Sequence, residues 1–288
     1  MDNKDVLEKA YRIVDWGDNP WSYKGKERYL RAIREFERLA SHPWLAELLN
    51  NDSLSILDVG AGRGIGGVAL AKVLMRRSVK VKLVMVDLRE DAIEDARRFA
   101  REENVEAEAY VMDALDAYKL GRFDIVLMYG AILAHFNEWD MPRLFASAAN
   151  ALKDDGVIII EEMDRVDMIF RKGFKEIIVE NTDLEQLSIS FHVRYDLITG
   201  SYYRAFVRLK DFEATILPLN FRSIAHIAST LWLFTKDVDI IPTEEESLYF
   251  VLGKEPRRAI NPEGLMEDPT ILKRGKPWIK SKENRIKG

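Results

Sequence analysis

Leu54 to Gly67 reads L-S-I-L-D-V-G-A-G-R-G-I-G-G. The apolar residues at its start predict a buried β-strand, and apolar residues at helical spacing resume from Val68 to Met75. The glycines between them predict a tight turn, because glycine reaches backbone angles that other residues avoid and lets a ligand lie on the main chain. The helix that follows would present free N–H groups to that ligand. The stretch therefore predicts a strand–turn–helix unit with a ligand at the turn.

Two nucleotide-binding patterns overlap in this turn. Positions 62 to 67 satisfy G-x-G-x-x-G, the pattern of dinucleotide-binding proteins, and Asp87 follows roughly 20 residues later. Positions 58 to 64 spell D-x-G-x-G-x-G, which resembles the cofactor loop of class I S-adenosylmethionine-dependent methyltransferases. Asp58 favours the methyltransferase interpretation, because an acid at the mouth of the loop would repel a pyrophosphate and attract the ammonium group of methionine. An NAD-dependent oxidoreductase is the alternative.

Further apolar runs alternate with helical patterns along the chain. Strand–helix alternation with continuous apolar strands predicts a parallel sheet that is covered by helices on both faces. Ligands bind such sheets outside the carboxyl ends of the strands. Five predicted strands end at that edge with a polar or charged residue. The predicted strands after the first are 79–86, 107–112, 123–128 and 157–161, and the five end residues are Asp58, Asp87, Asp113, Tyr129 and Glu161.

The second half of the chain predicts a less regular arrangement. A helix is expected over 138–152, capped by Asn137, and a turn over 153–156. Residues 163–183 read as irregular or partly helical. Alternating residues at 187–197 and 202–209 predict an antiparallel hairpin, which 214–218 would extend. A helix over 223–234 and strands over 238–241 and 248–252, joined by a short link, predict a closing antiparallel pair.

These patterns predict an α/β fold with a doubly wound, seven-stranded, mostly parallel sheet, N-terminal helices and an antiparallel hairpin insertion after the fifth strand. This is the architecture that the methyltransferase resemblance implies. The expected units are an N-terminal helical cap at 1–50, a cofactor-binding core at 51–163, a substrate-side insertion at 164–222, the closing helix and strand pair at 223–254, and a basic tail at 255–288.

The resemblance also implies roles for individual residues and S-adenosyl-L-methionine as the cofactor. Asp87 is placed to accept hydrogen bonds from both ribose hydroxyls, or alternatively to cap the next helix. Asp113 would bind the adenine amine, and the backbone N–H of Ala114 or Leu115 would bind a ring nitrogen. Tyr129 and Gly130 would border the methionine part. The full set of expected cofactor-binding residues is Asp58, Gly60, Ala61, Gly62, Gly64, Asp87, Leu88, Asp113, Ala114, Tyr129 and Gly130.

Candidate catalytic residues must lie near the ends of the fourth and fifth strands. His135 is the first candidate, because a histidine titrates near neutral pH. In related enzymes a histidine at this place also contacts the cofactor or supports the local helix. Glu161 is the second candidate and would contact a cationic or hydroxyl-bearing acceptor. No cluster of residues has metal-ligand spacing, so no metal is expected.

Composition limits the remaining choices. The 288 residues are 47% hydrophobic, contain no cysteine and carry a formal net charge of −5. No apolar run of about 18 residues or secretory signal is present, so a cytoplasmic protein without a membrane span is expected. Between Lys254 and Gly288 ten basic residues face five acidic ones. The acidic remainder disfavours a nucleic-acid partner, although the basic tail leaves that alternative open.

A small or medium-sized acceptor molecule is therefore the expected substrate. The alternatives are an RNA or protein methyltransferase, and a protein that binds S-adenosylmethionine without turnover. The sequence predicts no particular oligomeric state.

Overall fold

The computed structural model describes residues 3–278. Its larger sheet has seven strands in the order β10-β11-β5-β4-β1-β2-β3. All neighbouring pairs are parallel except those of β11, which is antiparallel to both β10 and β5. The strands are β1 (Ser53–Val59), β2 (Lys80–Asp87), β3 (Ala107–Val111), β4 (Phe123–Met128), β5 (Leu152–Met163), β10 (Thr235–Pro242) and β11 (Leu248–Pro256). The predicted seven-stranded, mostly parallel sheet is confirmed.

Helices cover both faces of this sheet and bury two separate apolar cores. One core packs α2, α4 and α5 against the sheet, and the other packs α6 and α8 against the opposite face. The helices are α1 (Asn3–Ile13), α2 (Tyr23–Leu39), α3 (Pro43–Leu48), α4 (Ile65–Met75), α5 (Glu90–Glu102), α6 (Asp140–Asn150), α7 (Arg165–Lys172), α8 (Ile224–Trp232), α9 (Pro262–Leu265) and α10 (Thr270–Arg274), with 3₁₀ turns at Ala114–Leu120 and Ile132–His135. The doubly wound arrangement is thereby confirmed.

The insertion after β5 forms a second sheet of four antiparallel strands in the order β6-β7-β8-β9. The predicted hairpin is its central pair, and the expected extension is its last strand. The first strand and α7 lie within 163–183, where the sequence predicted irregular or partly helical structure. The strands are β6 (Ile177–Asn181), β7 (Ser188–Asp196), β8 (Ser201–Arg208) and β9 (Ala214–Leu219).

The expected turn at 153–156 is wrong, because these residues lie inside β5. Leu152 already pairs with Phe123 of β4, and the register shifts before Val157 pairs with Ile125. The ammonium group of Lys153 lies 2.8 Å from Asp124 Oδ2. An irregular but paired start of the strand thus replaces the turn.

Helix α6 is also shorter than expected, since it spans Asp140–Asn150. Asn137 does take up its first N–H groups: its Oδ1 accepts hydrogen bonds from the N–H of Trp139 at 2.8 Å and of Asp140 at 3.0 Å. The cap is therefore an Asn side chain that reaches across two residues into the first turn.

The basic tail is partly folded onto the body. Arg258 pairs with Asp154 of β5 and lies 2.5 Å from its carboxylate, and α9 and α10 follow. The last part of the predicted tail, 279–288, lies outside the described residues. In the stretch from 3 to 278, none of the helices combines the length and apolar character that crossing a membrane requires.

Candidate functional site

The glycine turn joins β1 to α4 at the carboxyl edge of the sheet. Gly60, Gly62 and Gly64 have positive φ angles of 69°, 56° and 86°, which side chains larger than hydrogen rarely tolerate. Close packing explains two further glycines. A Cβ at Gly66 would lie 2.5 Å from Cβ of Tyr129, and one at Gly67 would lie 2.6 Å from the carboxylate of Asp58. Glycine is therefore required at the first three positions by the backbone conformation and at the last two by the side chains that pack against them.

Asp58 lies at the end of β1 and is 1% exposed. Its Oδ2 accepts a hydrogen bond from the N–H of Gly67 at 2.8 Å. Its Oδ1 is buried and has no hydrogen-bond partner among residues 3–278. Burial raises the pKa of Asp58 to about 7. A buried carboxylate oxygen without a partner is costly, so this atom is suited to a cationic ligand group.

Asp87 ends β2 beside Asp58 and is tightly bound within the protein. Its Oδ2 accepts from the N–H of Gly62 at 2.8 Å, and its Oδ1 accepts from the backbone N–H of Arg89 at 2.9 Å and from Nε at 3.3 Å. Each carboxylate oxygen can accept more than one hydrogen bond. The carboxylate therefore ties the glycine turn to Arg89 and keeps acceptor capacity for ribose hydroxyls.

Arg89 is buried and joins the N-terminal segment to the site. Its Nη1 lies 3.0 Å from the carboxylate of Asp18, and its guanidinium carbon lies 3.8 Å from the ring centre of Tyr11. A Cβ at Gly62 would lie 3.2 Å from its Nη2. The side chain consequently connects α1, the following loop, β2 and the glycine turn.

The ends of β2 and β3 border a cavity of about 420 Å³. Asp113 lies at its wall and its Oδ1 accepts from the N–H of Leu115 at 2.9 Å, which caps the 3₁₀ turn at Ala114–Leu120. Residues from three separate parts of the chain complete the walls. They include Leu7 and Tyr11 of α1, Gly60, Leu88 and Ala114 of the core, and Ser201 and Asn220 of the insertion.

A second cavity, of about 720 Å³, lies beyond the ends of β4 and β5. Glu161 of β5 is 1% exposed, and its Oε2 accepts from the N–H of Gly130 at 3.0 Å. Its Oε1 lies 3.7 Å from Arg31 Nη2 and makes no hydrogen bond within the described part of the chain. Burial raises the pKa of Glu161 to about 7. The carboxyl group can therefore exist in either protonation state at neutral pH.

His135 lines both cavities. Its ring centre is 6.2 Å from that of Tyr11 and 6.5 Å from that of Trp16. Its Nδ1 is buried without a hydrogen-bond partner in the range 3–278. Burial, with a smaller contribution from nearby Arg165 and Arg89, lowers the pKa of His135 to about 4. The imidazole is consequently neutral at pH 7 and lies where the two cavities meet.

Tyr129 and Arg28 lie between the glycine turn and the larger cavity. Tyr129 is buried against α2 and α4, and burial raises its pKa to about 12. The guanidinium of Arg28 lies 5.4 Å from the ring centre of Tyr129, and within residues 3–278 it has no carboxylate partner within 4.0 Å. It lines the larger cavity and the narrow space above the glycine turn.

All the predicted site residues thus border this one edge, but the sequence did not identify Arg89, Tyr11 or Arg28. Arg89 was identifiable only as a cation two residues after Asp87. Tyr11 and Arg28 come from the N-terminal helices, and no local pattern shows that they reach the site. Two tryptophans of the same N-terminal segment differ in position: Trp16 lines the larger cavity, whereas Trp21 packs on Phe99 with ring centres 6.2 Å apart.

Comparison with known proteins agrees with this geometry. A methyltransferase domain model matches residues 56–156. Over 123 residues the chain is 31% identical to the mitochondrial ubiquinone biosynthesis O-methyltransferase of Candida albicans, and the match covers 41% of this chain and 35% of that protein. The matched segment therefore spans about a third of the relative's length.

Solved structures share the fold over a larger part of the chain. The PH0226 protein of Pyrococcus horikoshii has a TM-score of 0.58 at 17% identity, and the match covers 86% of this chain and 98% of that one. An S-adenosylmethionine-dependent methyltransferase of Clostridium acetobutylicum has a TM-score of 0.52 at 15% identity, and the match covers 77% of this chain and 91% of that one. The D-x-G-x-G-x-G turn, the strand order and the methyltransferase domain matched at 56–156 are consistent with the class I S-adenosylmethionine-dependent methyltransferase family.

Proposed function

We propose that this protein transfers a methyl group from S-adenosylmethionine to a small acceptor molecule that binds in the 720 Å³ cavity. One observation carries the proposal. The glycine turn and the carboxylates of Asp58, Asp87 and Asp113 share an edge of the sheet, and the cavity that contains Glu161 opens beside them. The cofactor and acceptor would thus meet at the ends of β1 and β4, next to His135.

The residues present fit the cofactor group by group. The unpartnered Oδ1 of Asp58 would accept from the methionine ammonium group, and Arg28, which has no carboxylate partner in the described residues, would bind the methionine carboxylate. Asp87 would bind the ribose hydroxyls. Asp113 and the backbone N–H of Ala114 would contact the adenine in the 420 Å³ cavity.

When bound, S-adenosylmethionine supplies an electrophilic methyl group attached to a good leaving group. The protein then has to align the acceptor with that group and exclude water. The aromatic rings of Tyr11 and Trp16, together with β9, roof the meeting point and serve the second task. Alignment would come from His135 and from the cavity wall.

Glu161 is the candidate for proton removal. A base works best when its pKa lies near the working pH, and the Glu161 carboxyl has a pKa of about 7. His135 has a pKa of about 4, so its neutral ring is a weak base and a better hydrogen-bond partner. We therefore assign Glu161 as the base for a hydroxyl acceptor and His135 as the group that orients it.

A small acceptor is favoured over a polymer by the shape and charge of the site. The cavity is bordered by the N-terminal segment, the core and α7, and five cations on its walls face four carboxyl groups. The matched relative is named as an O-methyltransferase of ubiquinone biosynthesis. We therefore propose a hydroxyl-bearing organic molecule rather than RNA or protein, which would need an open, cationic surface.

Calorimetric titration with S-adenosylmethionine, S-adenosylhomocysteine and NAD in parallel tests the cofactor. Micromolar binding of the two sulfur nucleosides and no binding of NAD is expected. Binding of NAD alone would overturn the assignment. Incubating the protein with a small-molecule extract and methyl-labelled cofactor then tests turnover, since binding without any labelled product would indicate a non-catalytic binding protein.

A further inference from the structure

The insertion sheet has one face packed on the protein and one face open. Phe206 and Leu217 on the inner face pack against Ala10 and Ile13 of α1 and against Val14, which follows it. The opposite face, here called the outer apolar face, consists of two rows of side chains that run across all four strands. The rows are Ile177, Phe191, Ala205 and Ile216, and Val179, Ile189, Val207 and Ala214.

Several apolar side chains of the outer apolar face are exposed to solvent. Ile177 is 67% exposed, Val179 56%, Ile216 49% and Phe191 38%. All eight positions are apolar, and the adjacent row on the same face holds Arg194 and Tyr203. Contiguous exposed apolar patches are uncommon on monomeric proteins and mark interaction surfaces. Within these two rows the pairing is continuous across the four strands, so the face can stack against a second sheet.

Exposed apolar side chains continue at one end of the sheet. The β6–β7 and β8–β9 turns lie at the same end, and they carry Leu184, which is 83% exposed, and Phe212, which is 77% exposed. The strands are five to nine residues long, so each presents two to four side chains outward. With the turns, the surface approaches the roughly 20 residues per partner of a standard interface.

Cations do not outnumber carboxylates around this surface, since residues 175–219 include five basic and seven acidic residues. Arg194 lies over Tyr203, with its guanidinium carbon 3.8 Å from the ring centre. Arg208 and Lys210 have carboxylate partners. These pairs are Arg208 with Asp211 and Glu213, and Lys210 with Glu185. A surface that attaches to anionic lipid combines apolar side chains with free cations, and these pairs leave no such excess.

We propose that the outer apolar face binds the same face of a second copy of this chain, which makes the protein a two-fold symmetric dimer. A two-fold contact uses one surface twice, and the eight uncharged positions of the outer apolar face meet their own copies without like-charge repulsion. Two stacked sheets would bury the outer rows, while each inner face still holds α1 of its own subunit. The dimer would thereby brace the sheet that supports Tyr11 and the roof of the site.

Sedimentation equilibrium of the full chain between about 1 and 100 µM tests the proposal. The first variant is Ile216→Glu in the centre of the exposed rows, and the second is Val179→Glu on β6. Ile240→Glu is the matched control, because Ile240 is 42% exposed on β10 of the larger sheet. Far-UV circular dichroism and S-adenosylhomocysteine titration establish that each variant is folded.

The wild type and Ile240→Glu should sediment as dimers, and the two variants of the face as folded monomers, with dissociation constants raised at least 100-fold. A monomeric wild type at 100 µM would overturn the proposal, as would dimers that both face variants leave intact. Co-sedimentation with phosphatidylglycerol vesicles distinguishes the lipid alternative. A monomer that binds vesicles and loses this binding in Val179→Glu would assign the face to a membrane instead.

Discussion

Asp58, Asp87 and Asp113 end three neighbouring strands, yet their carboxylates have different surroundings. Asp58 is buried with one free oxygen, Asp87 holds the glycine turn and Arg89, and Asp113 is exposed and caps a 3₁₀ turn. Each carboxylate is predicted to bind the cofactor, and each also accepts a hydrogen bond from a backbone N–H of the protein. A substitution at Asp87 or Asp113 changes both roles at once, so its test needs a control for stability.

Asp87→Ala should weaken S-adenosylhomocysteine binding by about 1–3 kcal/mol, the range for loss of charge-assisted hydrogen bonds. Calorimetric titration measures this. Asp124→Asn is the control, because Asp124 is a hydrogen-bonded carboxylate near the opposite end of β4, where it accepts from the N–H of Ser55 at 2.7 Å. Its variant should lose stability and keep affinity. Equal affinity of Asp87→Ala and the wild type would remove Asp87 from the cofactor site.

Glu161→Gln should change how stability depends on pH. Burial raises the pKa of Glu161 in the folded protein to about 7 from 4.5, so between these values the folded state binds more protons than the unfolded state. The protonated carboxyl therefore makes its full contribution to the free energy of unfolding below about pH 4.5, and this contribution is lost as the pH rises through 7. The glutamine cannot ionise. The free energy of unfolding of Glu161→Gln, relative to that of the wild type, should therefore rise by up to about 3 kcal/mol between pH 5 and pH 8.

Urea denaturation at the two pH values measures this difference. Glu245→Gln is the matched control, because Glu245 also pairs with Arg31 but its side chain is 48% exposed. Because the Glu245 side chain is half exposed, Glu245→Gln should change the free energy of unfolding by less than about 1 kcal/mol at either pH. If the Glu161→Gln and wild-type curves run parallel from pH 5 to pH 8, the carboxyl has an ordinary pKa and is not the proposed base.

Among the elements, α1 packs on the smaller sheet and contributes Tyr11 to the site. It packs on β8 and β9 through a small apolar cluster, and Tyr11 covers the guanidinium of Arg89. The Arg89 guanidinium in turn lies between Asp87 and Asp18. The same carboxylate that is proposed to bind the ribose thus helps to hold the helix that roofs it.

Arg89→Ala should destabilise the protein by about 3 kcal/mol, since it leaves the buried carboxylate of Asp87 without its cation. Asp18 keeps a second cation, because Arg63 Nε lies 3.4 Å from its carboxylate. Amide hydrogen exchange in α1 should become faster, because the helix loses its attachment to the sheet edge. Arg98→Ala is the comparison, as Arg98 also stacks on an aromatic ring, that of Trp21 at 3.5 Å, but is half exposed. Arg98→Ala should lower the free energy of unfolding by less than about 1 kcal/mol. Unchanged exchange in α1 would show that Arg89 does not anchor it.

The elements that the sequence predicted well are those with a continuous apolar core face. Strands β1, β2, β4 and the glycine turn are specified by adjacent residues, so their place and the edge they share were predictable. The strand β6 was not, because its Ile177 and Val179 face outward and its pattern is not that of a half-buried strand. The site was predictable only where its residues follow strands. Contacts such as Tyr11 with Arg89 join distant positions, and no local pattern encodes them.

On the scale of the whole molecule, the proposed cofactor site is where three structural parts meet. The 420 Å³ cavity takes walls from α1, the core and the insertion. The two main cores lie on opposite faces of the larger sheet, whereas α1 and the insertion share a much smaller cluster. A ligand in this cavity would therefore add contacts between parts that the apolar cores join only weakly.

Ligand binding should accordingly stabilise the molecule as one unit. S-adenosylhomocysteine at 100 times its dissociation constant should contribute about 2.7 kcal/mol, which for a chain of this size raises the Tm by about 5 °C. Differential scanning calorimetry should show a single transition that moves as a whole, and NAD should not move it. At the same concentration of S-adenosylhomocysteine, the Tm of Asp87→Ala should rise less than that of the wild type. Two transitions, of which only one responds to the ligand, would show that α1 and the insertion do not close over the cofactor.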